Sequence, residues 1–148
     1  MSTRSVCFSV VWGLFCLVST TGAQENKGEI LFEYWNGIGG SLDTLYNSDR
    51  WPDKPDTWEY RSDLEGKIDW AESYSTRVRG VLYPPQTGVY SFWISSDDGS
   101  ELWLGQGEGP DSASRIASVP EWTAPQEWDK FPSQQSGAVY LEANRPYY

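Results

Sequence analysis

The sequence predicts an all-β fold, an antiparallel β-sandwich or barrel, on three observations. No long window carries sustained helical periodicity. Short runs of alternating apolar and polar residues recur along the chain, and they are separated by glycine, proline, asparagine and aspartate. Short strands with closely spaced turns and no helical repeat are the pattern of such folds.

The elements follow in order. Residues 30–35 read as an opening strand, ended by the glycines of 37–40. Residues 41–47 suit a short helix, with Ser41 able to cap its start. Pro52 and Pro55 impose an irregular crossing before a second strand over 58–64. Residues 69–72 are expected to form a loop or a single helical turn. From Ser75 the strand signal strengthens, and 77–83 alternates β-branched and aromatic residues with polar ones. Pro84 and Pro85 cannot donate to a ladder and Gly88 favours a turn, so the strand stops there. Residues 89–95 form the next, with Tyr90, Phe92 and Ile94 on one face, and 101–104 follow with Leu102 and Leu104 on one face.

The register of those two runs can be reasoned out. A three-residue loop of Asp97, Asp98 and Gly99 sets Ile94 opposite Leu102 and Phe92 opposite Leu104, which leaves one face wholly apolar. A one-residue slip mixes the faces. The expected hairpin has Gly99 in the left-handed position and Trp93 opposite Trp103 on the second face. Residues 105–114 form an acidic, glycine-rich surface loop, and 115–119 a short strand. Residues 120–132, with Trp122, Trp128 and Phe131, are irregular but packed. A last complete strand covers 137–142, with a turn at Ala143 and Asn144. Residues 145–148 begin another strand, so the fold is expected to continue beyond Tyr148, with its C-terminal strand or strands and any further domains outside the chain.

Composition narrows the function. Residues 1–23 read as a secretory signal: Arg4 at the start, an apolar run over 6–18 and small residues at 21–23. That run is shorter than the roughly 20 residues of a membrane-spanning helix, and no later segment is apolar enough to insert. The expected product is a secreted, extracellular domain over 24–148. Both cysteines, Cys7 and Cys16, lie in the signal, so the mature domain has neither disulfide nor thiolate metal site. The net charge is −10, and loss of the signal makes it one unit more negative. Such a balance repels nucleic-acid phosphates and suits solubility or cation binding. The absence of histidine removes histidine-based triads and the commonest zinc sites. No catalytic residue is expected. Nine tryptophans and nine tyrosines supply rings that can pack in a β core or stack on sugars, and core packing is the commoner use.

Three segments carry a resemblance: Tyr34–Gly40, the long stretch Arg77–Asp98, and Glu101–Leu104. The tail Val139–Tyr148 also fits. Together they resemble the protective-antigen fourteen domain, a β-sandwich module of fungal flocculins and epithelial adhesins, glycosidases, toxins and fibrocystin-like receptors. The resemblance covers residues 28–148. It implies a non-catalytic module that binds extracellular glycans or accompanies a larger enzyme or receptor. In the adhesins two adjacent aspartates joined by a cis peptide bind calcium, and the calcium binds sugar hydroxyls. Asp97 and Asp98 match that pair and become the expected metal and carbohydrate ligands, with Ca2+ as the implied cofactor. The asparagine-bearing loop that completes the adhesin site would lie past Tyr148.

Plainer readings stand beside these. Asp97, Asp98 and Gly99 are also ordinary turn residues, and Glu108–Asp111 suits a solvated loop better than a cation site. Trp93 and Trp103 could form a sugar platform or a cross-strand aromatic pair. Arg77 and Arg79 share a face and could pair with acids, and they read as surface or interface residues, not as a nucleic-acid patch.

Overall fold

The computed structural model describes residues 28–148, and the expected signal over 1–23 lies outside the described residues. Seven strands and one short helix appear in the order β1 (Ile30–Asn36), α1 (Leu42–Tyr46), β2 (Thr57–Arg61), β3 (Tyr74–Arg79), β4 (Gly88–Tyr90), β5 (Ser100–Leu104), β6 (Ser114–Val119) and β7 (Val139–Leu141). Every strand pair is antiparallel. The all-β expectation therefore holds, with helix confined to α1 and single 3-10 turns among the described residues.

β1 lies at the centre of a three-stranded sheet, ordered β2-β1-β3. Its residues 32–35 are buried on both faces. Phe32 and Tyr34 pack with Tyr74 on one side, and Trp35 packs with Ile38 and Leu45 on the other. Between them Glu33 is also buried, and its carboxylate takes two hydrogen bonds each from Arg77 (2.6 and 3.0 Å) and Arg79 (2.9 and 3.0 Å). Arg77 lies over the rings of Trp35 and Trp51 as well. The helix expected at 41–47 is α1, capped by Ser41, whose hydroxyl accepts from the Thr44 N–H.

The other ladders are β4 with β7 and β5 with β6. The hairpin expected between 89–95 and 101–104 is therefore corrected. β5 pairs with β6, setting Leu102 beside Ala117 and Trp103 beside Arg115. Segment 92–96 instead meets 134–136: the Ile94 N–H donates to the Gln134 carbonyl, and the Phe92 N–H to Ser136 Oγ. The apolar matches survive in another form. Ile94 packs with Leu102, and Phe92 shares a cluster with Leu104, as side chains meeting across the core. Alternation decides which side chains turn inward, and both arrangements satisfy it. Residues 97–99 thus arch between two ladders. Gly99 is absent from the glycines with positive φ, and Trp103 does not face Trp93.

The tail behaves as a strand. Tyr147 exchanges two backbone hydrogen bonds with Leu82, and Tyr148 two with Gly105. Asn144 takes the left-handed conformation expected of it, with φ 58°.

Candidate functional site

The arch carrying Asp97 and Asp98 stands on buried hydroxyls. Ser96, Ser100 and Thr123 are almost fully buried. The Ser96 N–H donates to Thr123 Oγ1 (2.9 Å), and the Thr123 N–H returns a bond to the Ser96 carbonyl (2.7 Å). Ser96 Oγ donates to the Asp98 carbonyl (2.7 Å) and lies 2.5 Å from Ser100 Oγ. Both feet of the arch and the irregular segment beside it are therefore fastened by short side chains. Serine and threonine suit the task, since each bonds a nearby backbone without needing space. The sequence reading missed this footing: a lone Thr123 in an irregular segment has no periodicity to mark it.

Asp97 and Asp98 are half-buried, and the peptide bond between them is cis, the geometry the resemblance implies. The backbone of Asp97 bridges to Trp122. Trp122 is exposed, and Lys130 lies 3.5 Å from its ring centroid while donating to its carbonyl oxygen at 2.7 Å. The residue bridged to Asp97 thus carries an exposed aromatic ring with a cation over it, a neighbour that the sequence did not single out.

The donor set is two hard carboxylates on consecutive residues, with backbone oxygens close by. That chemistry fits calcium, which takes 6–8 oxygen ligands. Among the described residues no three His, Cys, Asp or Glu converge on one point, so the pair would supply part of a shell. The acidic loop adds nothing to it: Glu108 accepts from the Tyr83 hydroxyl at 3.0 Å, and Asp111 lies within the 3-10 turn Pro110–Ser112.

A second polar cluster lies on the outward side of β5. Glu101 Oε2 accepts from the Tyr46 hydroxyl (2.9 Å) and from the Trp103 indole N–H (3.1 Å), and Oε1 accepts from Arg115 (2.7 Å). Burial pushes the Glu101 carboxyl up, but the bonds from Arg115, Tyr46 and Trp103 outweigh it and hold it below the usual carboxylate range. Burial, with Glu101 alongside, pushes the Tyr46 phenol up to about 12.

Comparison with known proteins decides the family. The PA14 domain model matches residues 44–148. The chain belongs to the PA14 domain family. This PA14 domain is 36% identical, over 132 residues, to a mouse protein, N-acetyl-beta-glucosaminyl-glycoprotein 4-beta-N-acetylgalactosaminyltransferase 1. That match takes in 84% of this chain and 12% of the transferase. It is 27% identical over 105 residues to dog fibrocystin, covering 70% of this chain and 2% of fibrocystin. The chain therefore spans a small part of each relative. No solved structure matches it. A PA14 domain is a non-catalytic module of the carbohydrate-binding or accessory type, carried within larger proteins. Among the described residues no helix is long and apolar enough to cross a membrane.

Proposed function

We propose that this PA14 domain is a secreted, lectin-like module that recognises extracellular glycans with the help of calcium held by Asp97 and Asp98. The observation that carries the reading is the placement of the two aspartates: consecutive, half-buried, on an arch fixed by Ser96 and Thr123 and bridged through the Asp97 backbone to the exposed Trp122. A bound calcium ion would supply positive charge and vacant coordination positions to sugar hydroxyls. Backbone carbonyls, water and those hydroxyls would fill the shell that the carboxylates leave open. Trp122 offers an apolar surface to the C–H face of the same sugar, and Lys130 a donor at its rim. The domain itself performs no catalysis in this reading.

Retention on immobilised glycans, with calcium and with EDTA, tests the proposal. Wild type should be retained more strongly with calcium than with EDTA, and the double substitution Asp97→Ala, Asp98→Ala should remove that calcium-dependent difference while keeping its circular dichroism spectrum. Equal retention of wild type and double variant would refute the assignment of the site.

The relatives favour a second reading. Since the chain matches 12% of one relative and 2% of the other, the domain could serve as an accessory unit positioning a larger protein, with no ligand of its own. Glycan retention in neither buffer would decide for it.

A further inference from the structure

We propose that Trp103 is a second sugar contact, a calcium-independent stacking platform for a neutral pyranose, separate from the paired aspartates. The indole is held from one edge. Its N–H is taken by Glu101, and Glu101 is itself fixed by Arg115 and Tyr46. With its one donor occupied, the ring has a set orientation, yet 49% of the residue stays exposed. If the cluster served only to fasten α1 to β5, burying that ring would add stability, because large aromatic surfaces are worth more covered than wet. Here the polar edge is tied down and an apolar face is left in solvent, which is the preorganised arrangement a stacking partner uses at little entropic cost.

The surroundings specify the partner. Glu101 and Arg115 neutralise one another and Asp43 adds a negative charge near Tyr46, so the patch does not favour a phosphate or an acidic sugar. It does present hydrogen-bonding groups around the ring. The Tyr46 oxygen keeps acceptor capacity after donating to Glu101, and the Arg115 side chain is 54% exposed beyond its contact with Glu101. A flat apolar face rimmed by a hydroxyl and a guanidinium matches a pyranose, whose C–H groups lie on the ring face and whose hydroxyls lie at the rim. The other exposed aromatic pair, Trp58 and Tyr60, is less suited: its rings meet at 75°, and the neighbouring Glu33 carboxylate is enclosed by arginines.

The test uses saturation-transfer NMR with methyl β-galactoside and methyl β-N-acetylglucosaminide in EDTA, which separates this site from the calcium reading. Wild type and the Asp97→Ala, Asp98→Ala variant should both transfer saturation to at least one probe. Trp103→Ala should bind about tenfold more weakly, the scale of one aromatic stacking contact, and Trp103→Phe should restore most of the signal by keeping a flat ring. An unchanged melting temperature in Trp103→Ala shows that the fold is intact. Absence of EDTA-resistant transfer in wild type, or its persistence in a folded Trp103→Ala variant, overturns the proposal. The calcium-dependent retention described above stands or falls independently of either result.

Discussion

The backbone N–H of Ser96 is buried and its partner is a side chain, Thr123 Oγ1. Thr123→Val keeps the shape and removes the acceptor, so the N–H is left buried without a bond. That costs about 1–3 kcal/mol, and urea denaturation should show it as a lower midpoint with an unchanged slope. If the arch positions ligands, calcium-dependent glycan retention should fall as well. Glu33 poses the complementary case of a buried charge. Burial pushes its carboxyl up, while the hydrogen bonds and charges of Arg77 and Arg79 prevail and hold it below the ordinary value of 4.5. A carboxyl lowered by folding contributes stability above its unfolded pKa, and that contribution disappears as the pH falls through the folded pKa. Stability should therefore drop on acidification below about pH 4.5. Glu33→Gln should cost about 1–3 kcal/mol at neutral pH, since it takes the counter-charge from two partly solvated arginines, and should flatten the acid limb of a stability–pH curve. Had that limb kept its slope in the variant, Glu33 would not be its source. Arg77 and Arg79 were read as surface or interface residues able to pair with acids, and in the structure both hold the buried Glu33. Their acid was not legible, because Glu33 lies 44 residues before Arg77 and only the β1–β3 register joins them.

Among the elements, β5 shows where sequence reading reaches its end. Its inward residues, Leu102 and Leu104, follow from alternation, as do those of 89–95. The ladder partner does not, because a sandwich and a hairpin place the same apolar side chains together. The hydroxyl contacts at Ser136 and Thr123, which replace regular ladder bonds along 92–96, leave no periodic trace. The Ser41 cap, the Asn144 turn and the rough places of the strands were legible because each rests on local chemistry, but the expected strands over 58–64, 77–83 and 89–95 ran too far: β2 ends at Arg61, β3 at Arg79 and β4 at Tyr90. Beyond β5 the chain must pass close to itself: a Cβ on Gly105 would lie 2.6 Å from the Ala113 nitrogen and 2.7 Å from its Cα. Both are backbone atoms, so Gly105→Ala should force the 105–113 loop open and cost about 1–3 kcal/mol. Gly109→Ala, with nothing within 4 Å of the added carbon, should stay within about 0.5 kcal/mol of wild type. Equal melting temperatures for the two variants would mean that the close approach at Gly105 does not exist in solution.

Across the whole molecule, net charge sets a background against which any calcium site has to be measured. A chain at −10 gathers divalent cations loosely wherever carboxylates are dense, and this diffuse attraction is screened over about 8 Å at physiological ionic strength. A built site differs in two respects: it saturates, and it distinguishes calcium from magnesium, which demands a tighter octahedron and gives up its water reluctantly. Ligand that binds only the folded state at a hundred times its dissociation constant adds about 2.7 kcal/mol, and each kcal/mol moves the melting temperature by about 2–8 °C for domains near this size. Calcium titrated in 0.15 M salt should therefore raise the melting temperature in a saturable way, with magnesium giving much less. The Asp97→Asn, Asp98→Asn variant should lose the saturable part and keep the shallow drift that the remaining acids produce. Equal responses to the two cations in wild type would assign the whole effect to diffuse charge. The paired aspartates would then be turn residues, and any glycan recognition by the domain would rest on aromatic faces such as that of Trp103.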